Sequence, residues 1–298
     1  FAGQAALQRL FREGRARADK LRAGALRLAA AVFDADGDRF YRVEYDVFED
    51  RLLVLSGDEI ASHQAAYLAR RHGSAVKGAL FVNTVESDLH AAHDAAALGF
   101  QCAHTAVGDK WVLLRATLAL LDALARSVAN HTDDKASLAE AAEVRRLAQE
   151  LVANPEVDGQ RLAELFERLY RLLDETEAAG IPASIFQPGA IEFALGSEET
   201  GHTITAGYLH RTYGRALPVF FGNGLKSAIN TFVATQSLLE GLEPKEYLDR
   251  LTHPFSSGHK RTFYAYYTRK AEFSRGSEVW RQVSEIVTRL LGERLGSD

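Results

Sequence analysis

Several residue types and patterns are scarce in this chain. Its 298 residues include one cysteine, Cys102, and no methionine. A single cysteine excludes an intramolecular disulfide, which is typical of a protein kept in a reducing cytoplasm. No apolar run reaches about 18 residues and no signal-peptide pattern occurs, so we predict neither a membrane partner nor export. The start at Phe1 without an initiator methionine is expected to reflect processing, truncation or a disordered start.

The charge balance and composition narrow the class of protein further. The chain has 35 Lys and Arg against 40 Asp and Glu, a formal net charge of −5. A mildly acidic protein is a poor candidate for a nucleic-acid partner. With 47% hydrophobic residues, only 6 prolines and no low-complexity tract, the sequence is typical of a globular protein. Its length suits two domains that bury sizeable cores without disulfides.

The first half of the sequence alternates between predicted strands and helices. An apolar run over 25–33 predicts a buried strand, because polar turn residues follow it directly. A helix is expected from Ser56-Gly-Asp-Glu59 to about Arg71. The remaining elements are a helix within 4–22, a hairpin of 40–46 and 51–55, strands at 78–84 and 100–104, and a helix at 87–98 ending at Gly99. This β-α-β order predicts an α/β class protein, with a parallel or mixed sheet covered by helices.

The second half begins with a helical insertion at about 113–180. Its leucines recur at three- and four-residue spacing, which predicts about three helices. Packing against the parent domain or against a second subunit is favoured over a catalytic role, so the insertion is a candidate homo-oligomer contact. Beyond it we expect a strand at 190–195 and a loop feeding a helix at 219–240. From 243 a further small domain is expected, with an aromatic strand at 262–268 and a final helix near 277–293.

An aspartate cluster is the first chemical motif. Asp34, Asp36 and Asp38 follow the apolar run at alternate positions, and Arg39 closes the motif. Three carboxylates on a tight loop suit Mg²⁺, which prefers oxygen ligands and often keeps waters or substrate phosphate oxygens. An EF-hand is excluded, because its position 6 would be Arg39 instead of glycine and its position 12 would be Tyr45 instead of glutamate. The remaining alternative is a solvated acidic turn.

Two later loops carry further polar residues. In an extended loop, Glu198, Thr200 and His202 would share one side, where a carboxylate, a hydroxyl and an imidazole suit sugar hydroxyls. The alternative for this segment is an ordinary polar turn. In the segment Thr105-Ala-Val-Gly-Asp-Lys110, Gly108 lets the backbone approach a ligand and Lys110 can pair with phosphate. Taken alone, that segment is more simply a strand-to-helix turn.

Together, and in this order, these motifs resemble the α-D-phosphohexomutase superfamily of the phosphomannomutase/phosphoglucomutase type. The family has an Asp-x-Asp-x-Asp-Arg metal loop in its second domain, and a Thr-x-Val-Gly-Asp-Arg-like segment and a Gly-Glu-x-Ser-Gly-His loop in its third. Here they stand as Asp34-Ala-Asp-Gly-Asp-Arg39, Thr105–Lys110 and Ser197-Glu-Glu-Thr-Gly-His202. Thr84-Val-Glu-Ser-Asp-Leu89 and Asn223-Gly-Leu-Lys-Ser-Ala228 are similar to two further segments of domain three.

The resemblance implies an architecture of mixed parallel-sheet α/β/α domains with a helical insertion. Residues 1–57 would end domain two and carry the metal loop. Residues 58–242 would form the sugar-binding domain three, with the insertion at about 113–180. Residues 243–298 would begin domain four.

The resemblance also implies an activity, that of a cytoplasmic isomerase of carbohydrate metabolism. It would move a phosphoryl group between O1 and O6 of a hexose phosphate, through a phosphoserine and a hexose 1,6-bisphosphate intermediate. The resemblance implies that Mg²⁺ is bound by Asp34, Asp36 and Asp38. It implies three catalytic residues: His202 as general acid/base, Arg39 near the phosphoserine and Lys110 at the sugar site. Substrate would be bound by Glu198 and Thr200, on the sugar 3- and 4-hydroxyls, and by Thr105, Gly108 and Asp109. Glucose or mannose is favoured over glucosamine.

Some features depart from the family pattern. The 298 residues contain neither the Thr-x-Ser-His-Asn-Pro-like phosphoserine loop nor the Arg-x-Ser-Gly-Thr-Glu-Pro phosphate loop. The nearest basic turn, Ser256-Ser-Gly-His-Lys-Arg261, does not match the latter. Within the sugar loop, Thr200 replaces serine and Ser197 replaces glycine. These departures leave an alternative open, a non-catalytic sugar-phosphate or Mg²⁺-binding relative. A different Mg²⁺-dependent phosphotransferase would need a nucleophile near Asp34, and no persuasive candidate is present.

Overall fold

The computed structural model describes residues 2–131, 133–153, 160–161, 163–165, 167–168, 171, 193–210, 216–256, 272 and 276–295. The described helices are α1 (Ala2–Ala16), α2 (Ala18–Arg22), α3 (Gly57–His72), α4 (Leu89–Ala97), α5 (Asp109–His131), α6 (Lys135–Ala153), α7 (Gly224–Leu238), α8 (Pro244–Thr252) and α9 (Glu278–Leu295). The described strands are β1 (Ala29–Phe33), β2 (Phe40–Asp46), β3 (Arg51–Val54), β4 (Leu80–Thr84), β5 (Gln101–Thr105), β6 (Phe193–Ser197), β7 (Thr203–His210) and β8 (Ala216–Gly222). Residues Phe1–Gly258 form one compact unit, and His259–Asp298 a second that includes α9.

A mixed five-stranded sheet forms the centre of the first unit, with strand order β5-β4-β6-β7-β8. β4 pairs in parallel with both β5 and β6, while β7 is antiparallel to β6 and β8. One face packs against α3 and α4 through Phe81 and Leu195. The other face packs against α5 through Leu80 and Val82. The predicted α/β class, with a mixed sheet covered by helices, is therefore confirmed.

A separate three-stranded antiparallel sheet has the order β1-β2-β3. The strand predicted within 25–33 is present as β1, which spans Ala29–Phe33. The prediction that this strand is buried is wrong, because its side chains are half-buried or exposed. β2 is the buried strand of this sheet because it lies in the centre, whereas β1 has one strand partner among the described residues. The predicted hairpin of 40–46 and 51–55 corresponds to β2 and β3.

Local signals place the helix ends correctly. Ser56 Oγ accepts a hydrogen bond from Glu59 N at 3.3 Å, and Glu59 Oε2 accepts one from Ser56 N at 2.6 Å. This capping box satisfies two backbone N–H groups at the start of α3. Gly99, after α4, has φ = +103°, a backbone region that favours glycine.

The helical insertion begins within α5, a helix that also packs on the five-stranded sheet. The first part of α5 packs on the sheet through Val112 and Ala116. Further along, α5 packs against α6 in a core that includes Leu121 and Val144. Arg145 Nε on α6 donates to Asp122 Oδ1 on α5 at 2.9 Å. One continuous helix thus serves both the sheet and the helical hairpin.

Some sequence predictions differ from the structure or lie outside it. The segment 219–240, predicted to begin as a loop, begins within β8, which pairs along its length with β7. The predicted strand at 262–268 and most of the predicted third helix of the insertion lie outside the described residues. No helix in the described ranges combines the length and apolar character needed to cross a membrane.

Candidate functional site

The aspartate cluster occupies the hairpin loop that joins β1 to β2. Phe33 and Phe40 are partners in register, so residues 34–39 form the connection between them. Gly37 turns the chain with φ = +77°. Ligand atoms of Asp34, Asp36 and Asp38 all lie within 4.8 Å of one another. The three carboxylates that the sequence singles out are therefore brought together.

The electrostatics of this loop fit a divalent cation. Burial raises the pKa of Asp38, His202 offsets part of that rise, and the other two aspartates add to it. Burial also acts to raise the pKa of Asp34, but the hydrogen bond from Arg39 N–H and the pairing with Asp38 lower it overall. Asp38 Oδ1 is buried and has no hydrogen-bond partner within the described part of the chain. Crowded carboxylates with an unpaired buried oxygen suit Mg²⁺, which takes oxygen ligands.

The second predicted loop is a tight turn between β6 and β7. Glu198 N donates to His202 O at 2.9 Å, and Gly201 N donates to Glu198 O at 3.1 Å. The expectation of an extended loop is therefore wrong, because these hydrogen bonds curl the segment and Gly201 adopts φ = +85°. Glu198 and His202 are buried, whereas Thr200 is exposed. Within this turn, Thr200 is separated from the other two candidate residues.

The two loops are joined directly to each other. His202 Nε2 lies 3.1 Å from Asp38 Oδ2, and His202 Nδ1 lies 3.5 Å from Glu198 Oε2. Phe40 N donates to Gly201 O at 3.1 Å. The imidazole therefore bridges a predicted metal ligand and a predicted sugar ligand. Each ring nitrogen therefore faces one of the two carboxylates.

The third predicted loop, Thr105–Lys110, also contacts the Glu198 carboxylate. Gly108 N donates to Glu198 Oε1 at 2.7 Å, and Gly108 adopts φ = +122°. Asp109 and Lys110 follow as the first residues of α5. Lys110 is exposed, and its Nζ lies 5.2 Å from the Trp111 ring centroid. Thr105 Oγ donates to the neighbouring Ala106 carbonyl at 3.1 Å.

Arg39 stands at the edge of this arrangement. Its Nε lies 3.6 Å from Asp34 Oδ2, and its side chain is 45% exposed. Its backbone forms an isolated antiparallel β-bridge with the backbone of His202. The guanidinium is therefore held near the aspartate cluster while most of its donors remain available to an anion.

Sequence reasoning missed several residues that hold these loops in place. Tyr41 OH donates to Thr200 O at 2.5 Å. Gly57 N donates to Glu199 O at 2.9 Å, and Gly224 N donates to Gly37 O at 3.0 Å. Glycine at a helix start is common, so the sequence carried no signal that α3 and α7 each begin against one of the loops.

Replacing Gly57 with alanine is expected to displace the turn of residues 198–202. The added Cβ would fall inside contact distance of Glu198 O and 2.8 Å from Gly201 N, and both are backbone atoms. Backbone cannot rotate away as a side chain does, so we expect a loss of about 1–3 kcal/mol in the free energy of unfolding. Urea denaturation measures this loss. Gly292→Ala, at a helix position where the new Cβ meets open space, should instead leave stability unchanged or raise it by up to about 1 kcal/mol, because alanine favours a helix over glycine.

An unchanged unfolding midpoint in Gly57→Ala would mean that the turn does not sit against the start of α3. The amide N–H of Glu198, which donates to His202 O, gives a second, local measurement. Its hydrogen-exchange rate should rise in Gly57→Ala and stay constant in Gly292→Ala.

Comparison with known protein families identifies a similar domain. Residues 56–120 match the family model described as phosphoglucomutase/phosphomannomutase, alpha/beta/alpha domain III. A comparison with curated proteins found no match. The matched range runs from the cap of α3 through β4, α4 and β5 into α5, and it includes the Thr105–Lys110 loop. The aspartate loop and the 198–202 turn lie outside it, and the match ends in the part of α5 that leaves the sheet for α6. This match places residues 56–120, an α/β/α segment of the chain, in the phosphoglucomutase/phosphomannomutase (α-D-phosphohexomutase) superfamily.

Proposed function

We propose that this chain carries the metal-binding and sugar-binding parts of a phosphohexomutase. The reaction would move a phosphoryl group between O1 and O6 of a hexose phosphate, with a hexose 1,6-bisphosphate as intermediate. One observation carries the proposal: the His202 imidazole lies between two carboxylates, with Nε2 3.1 Å from Asp38 Oδ2 and Nδ1 3.5 Å from Glu198 Oε2. A predicted metal loop and a predicted sugar loop thus form one site beside the matched domain.

Asp34, Asp36 and Asp38 would hold the Mg²⁺ in this proposal. When bound, the cation neutralises negative charge on a phosphoryl group, and phosphoryl transfer depends mainly on such neutralisation and on positioning. Arg39 would add a permanent positive charge beside it. The raised pKa of Asp38 means that cation binding competes with a proton, so binding should weaken as the pH falls.

Glu198 and His202 would orient the sugar. Glu198 accepts one hydrogen bond from Gly108 N at 2.7 Å, which fixes the carboxylate and leaves acceptor capacity for a sugar hydroxyl. His202 would act as general acid/base, since its imidazole is held between two carboxylates. Thr200 would contact a second hydroxyl, and Lys110 would pair with the substrate phosphate. Thr105, Gly108 and Asp109 would form the wall of the sugar site.

The remaining parts of the proposal rest on the resemblance. Turnover needs a phosphoserine, and the family's phosphoserine motif does not occur in the 298 residues. The second candidate function is a non-catalytic protein that binds sugar phosphate and Mg²⁺. The division into parts of domains two, three and four, the choice of glucose or mannose, the contact between subunits through the insertion and the cytoplasmic location all stay predictions.

Removing the central aspartate tests the proposed function. In Asp36→Ala, Mg²⁺ affinity measured by isothermal titration calorimetry should fall at least about 100-fold, because even residues behind the ligands typically cost 10–100-fold. Mutase turnover should fall with it, measured on the full gene product with Mg²⁺, a trace of hexose 1,6-bisphosphate, and glucose, mannose and glucosamine 1-phosphates in parallel.

Asp19→Ala is the matched control, since Asp19 is an exposed aspartate whose loss leaves the loop intact. Turnover that only Asp36→Ala abolishes would support the mutase and name the sugar. Mg²⁺ and sugar-phosphate binding without turnover would favour the binding protein. Equal Mg²⁺ affinity in both variants would contradict the metal site itself.

A further inference from the structure

A row of polar side chains crosses the sheet directly beneath the 198–202 turn. Asn83 on β4 is in register with Ser197 on β6, and Ser197 is in register with Thr203 on β7. Partners in register project from the same face of a sheet. Ser197 immediately precedes Glu198, and Thr203 immediately follows His202. The row therefore underlies both ends of the turn.

This row faces α3 and the interior. Phe81 and Leu195 lie two residues earlier on β4 and β6, so they share the face of Asn83 and Ser197. Both pack in the core formed with Ala61 and Ala65 of α3. Ser62, on the same helix, presents a buried hydroxyl without a hydrogen-bond partner among the described residues.

The polar atoms of the row are buried and unpaired. Asn83 is 0% exposed, and Ser197 and Thr203 are each 1% exposed. Asn83 Oδ1 and Nδ2, Ser197 Oγ and Thr203 Oγ have no hydrogen-bond partner anywhere in the described ranges. Buried polar atoms without partners are costly, and native proteins pair nearly all of them with protein groups or ordered water.

Buried polar side chains between α3 and α7, by contrast, are hydrogen-bonded to one another. Gln64 Nε2 donates to Thr231 Oγ at 3.0 Å, and Thr231 Oγ donates to Ser227 O at 2.7 Å. Those groups lie between α3 and α7 and satisfy one another. The row under the turn has no such arrangement, although it lies at the end of the central strands where the candidate site is built.

We propose that the row formed by Asn83, Ser197 and Thr203 binds ordered water that ties together the two ends of the 198–202 turn. The row offers two amide donors, one amide acceptor and two hydroxyls that both donate and accept. It carries no formal charge, which favours water over an ion. A buried water typically makes about three hydrogen bonds to such groups. This site does not depend on the mutase activity, although the water would help to position Glu198 and His202.

The first test is a high-resolution crystal structure of the protein. It should show at least one water within hydrogen-bonding distance of two or more of the three side chains. A dry row, in which the three side chains pair with each other or rotate to other partners, would overturn the proposal.

The second test compares two substitutions at Thr203. Thr203→Val keeps the shape and removes the hydroxyl, while Thr203→Ser keeps the hydroxyl. If the hydroxyl binds water, Thr203→Val should lower the Tm by about 2 °C or more. Hydrogen exchange at the Glu198 amide should also rise several-fold, and Thr203→Ser should leave that exchange near the parent value. An unchanged or higher Tm in Thr203→Val, with unchanged exchange, would mean that the hydroxyl is unpaired and that no water is bound there.

Discussion

Replacing Arg42 with methionine is expected to lower the free energy of unfolding by about 3–5 kcal/mol. Arg42 and Glu44, both on β2, are 4% and 2% exposed. Arg42 Nη2 donates to Glu44 Oε2 at 2.7 Å and to Tyr247 OH at 2.7 Å, and Nη1 donates to Thr235 Oγ. Without the guanidinium, the Glu44 carboxylate would remain buried, and the Tyr247 hydroxyl at 3.2 Å would be its remaining hydrogen-bond donor among the described residues.

The network joins the small sheet to two helices. Thr235 lies on α7 and Tyr247 on α8, so the guanidinium links β2 to both. Burial raises the pKa of Glu44, and Arg42 offsets part of that rise. Burial, together with the Glu44 charge, raises the pKa of Tyr247 to about 12. Tyr247 therefore stays protonated and acts as a donor throughout the ordinary pH range.

Urea denaturation of three variants measures this effect. Arg51→Met is the control, because Arg51 is 63% exposed, pairs with Asp46 at 3.5 Å, and should cost less than about 1 kcal/mol. The triple variant Arg42→Met, Glu44→Leu, Tyr247→Phe removes the buried charges and the hydroxyl together, and it should recover most of the loss. A triple variant no more stable than Arg42→Met would show that packing, and not an unpaired charge, accounts for the loss.

The second large effect concerns pH. Burial lowers the pKa of His63 from its usual 6.5 to about 4. His63 Nε2 lies 2.8 Å from Leu251 O, so the neutral imidazole donates to that carbonyl. Because the folded pKa lies below the unfolded one, the unfolded chain binds the proton more readily. The stabilisation from neutral His63 is therefore complete above pH 6.5 and is lost as the pH falls from 6.5 towards 4, by about 3 kcal/mol in all.

His63→Gln isolates this contribution, because glutamine keeps a donor for Leu251 O and does not titrate. Between pH 7 and pH 4.5 the parent should lose roughly 2–3 kcal/mol more stability than His63→Gln. Urea denaturation at the two pH values measures both proteins, and groups common to both cancel. His93→Gln, at a side chain that is 80% exposed, should follow the parent. If parent and His63→Gln lost stability in parallel, His63 would not titrate differently on folding.

Much of the local structure could be predicted from short stretches of sequence. Ser56 and Glu59 predict the start of α3, and Gly99 marks the end of α4, because capping and positive φ depend on a few adjacent residues. The alternation of residues 40–46 and 51–55 predicts the β2–β3 hairpin. The burial of β1 could not be predicted in this way, since an apolar run does not reveal whether its strand lies at the centre or the edge of a sheet.

The sequence by itself determined the chemical groups of the candidate site: three aspartates on one short loop, and a glutamate and a histidine four residues apart on another. Only the tertiary structure decided how these groups meet. It places Asp38 3.1 Å from His202, brings Gly108 N to Glu198, and leaves Thr200 apart in a curled turn. The physical reason is that β6 inserts beside β4 after the long α5–α6 hairpin, and that the first turns of α3 and α7 fix the two loops. Such contacts between distant segments depend on strand pairing and helix packing, which no local pattern in the sequence specifies.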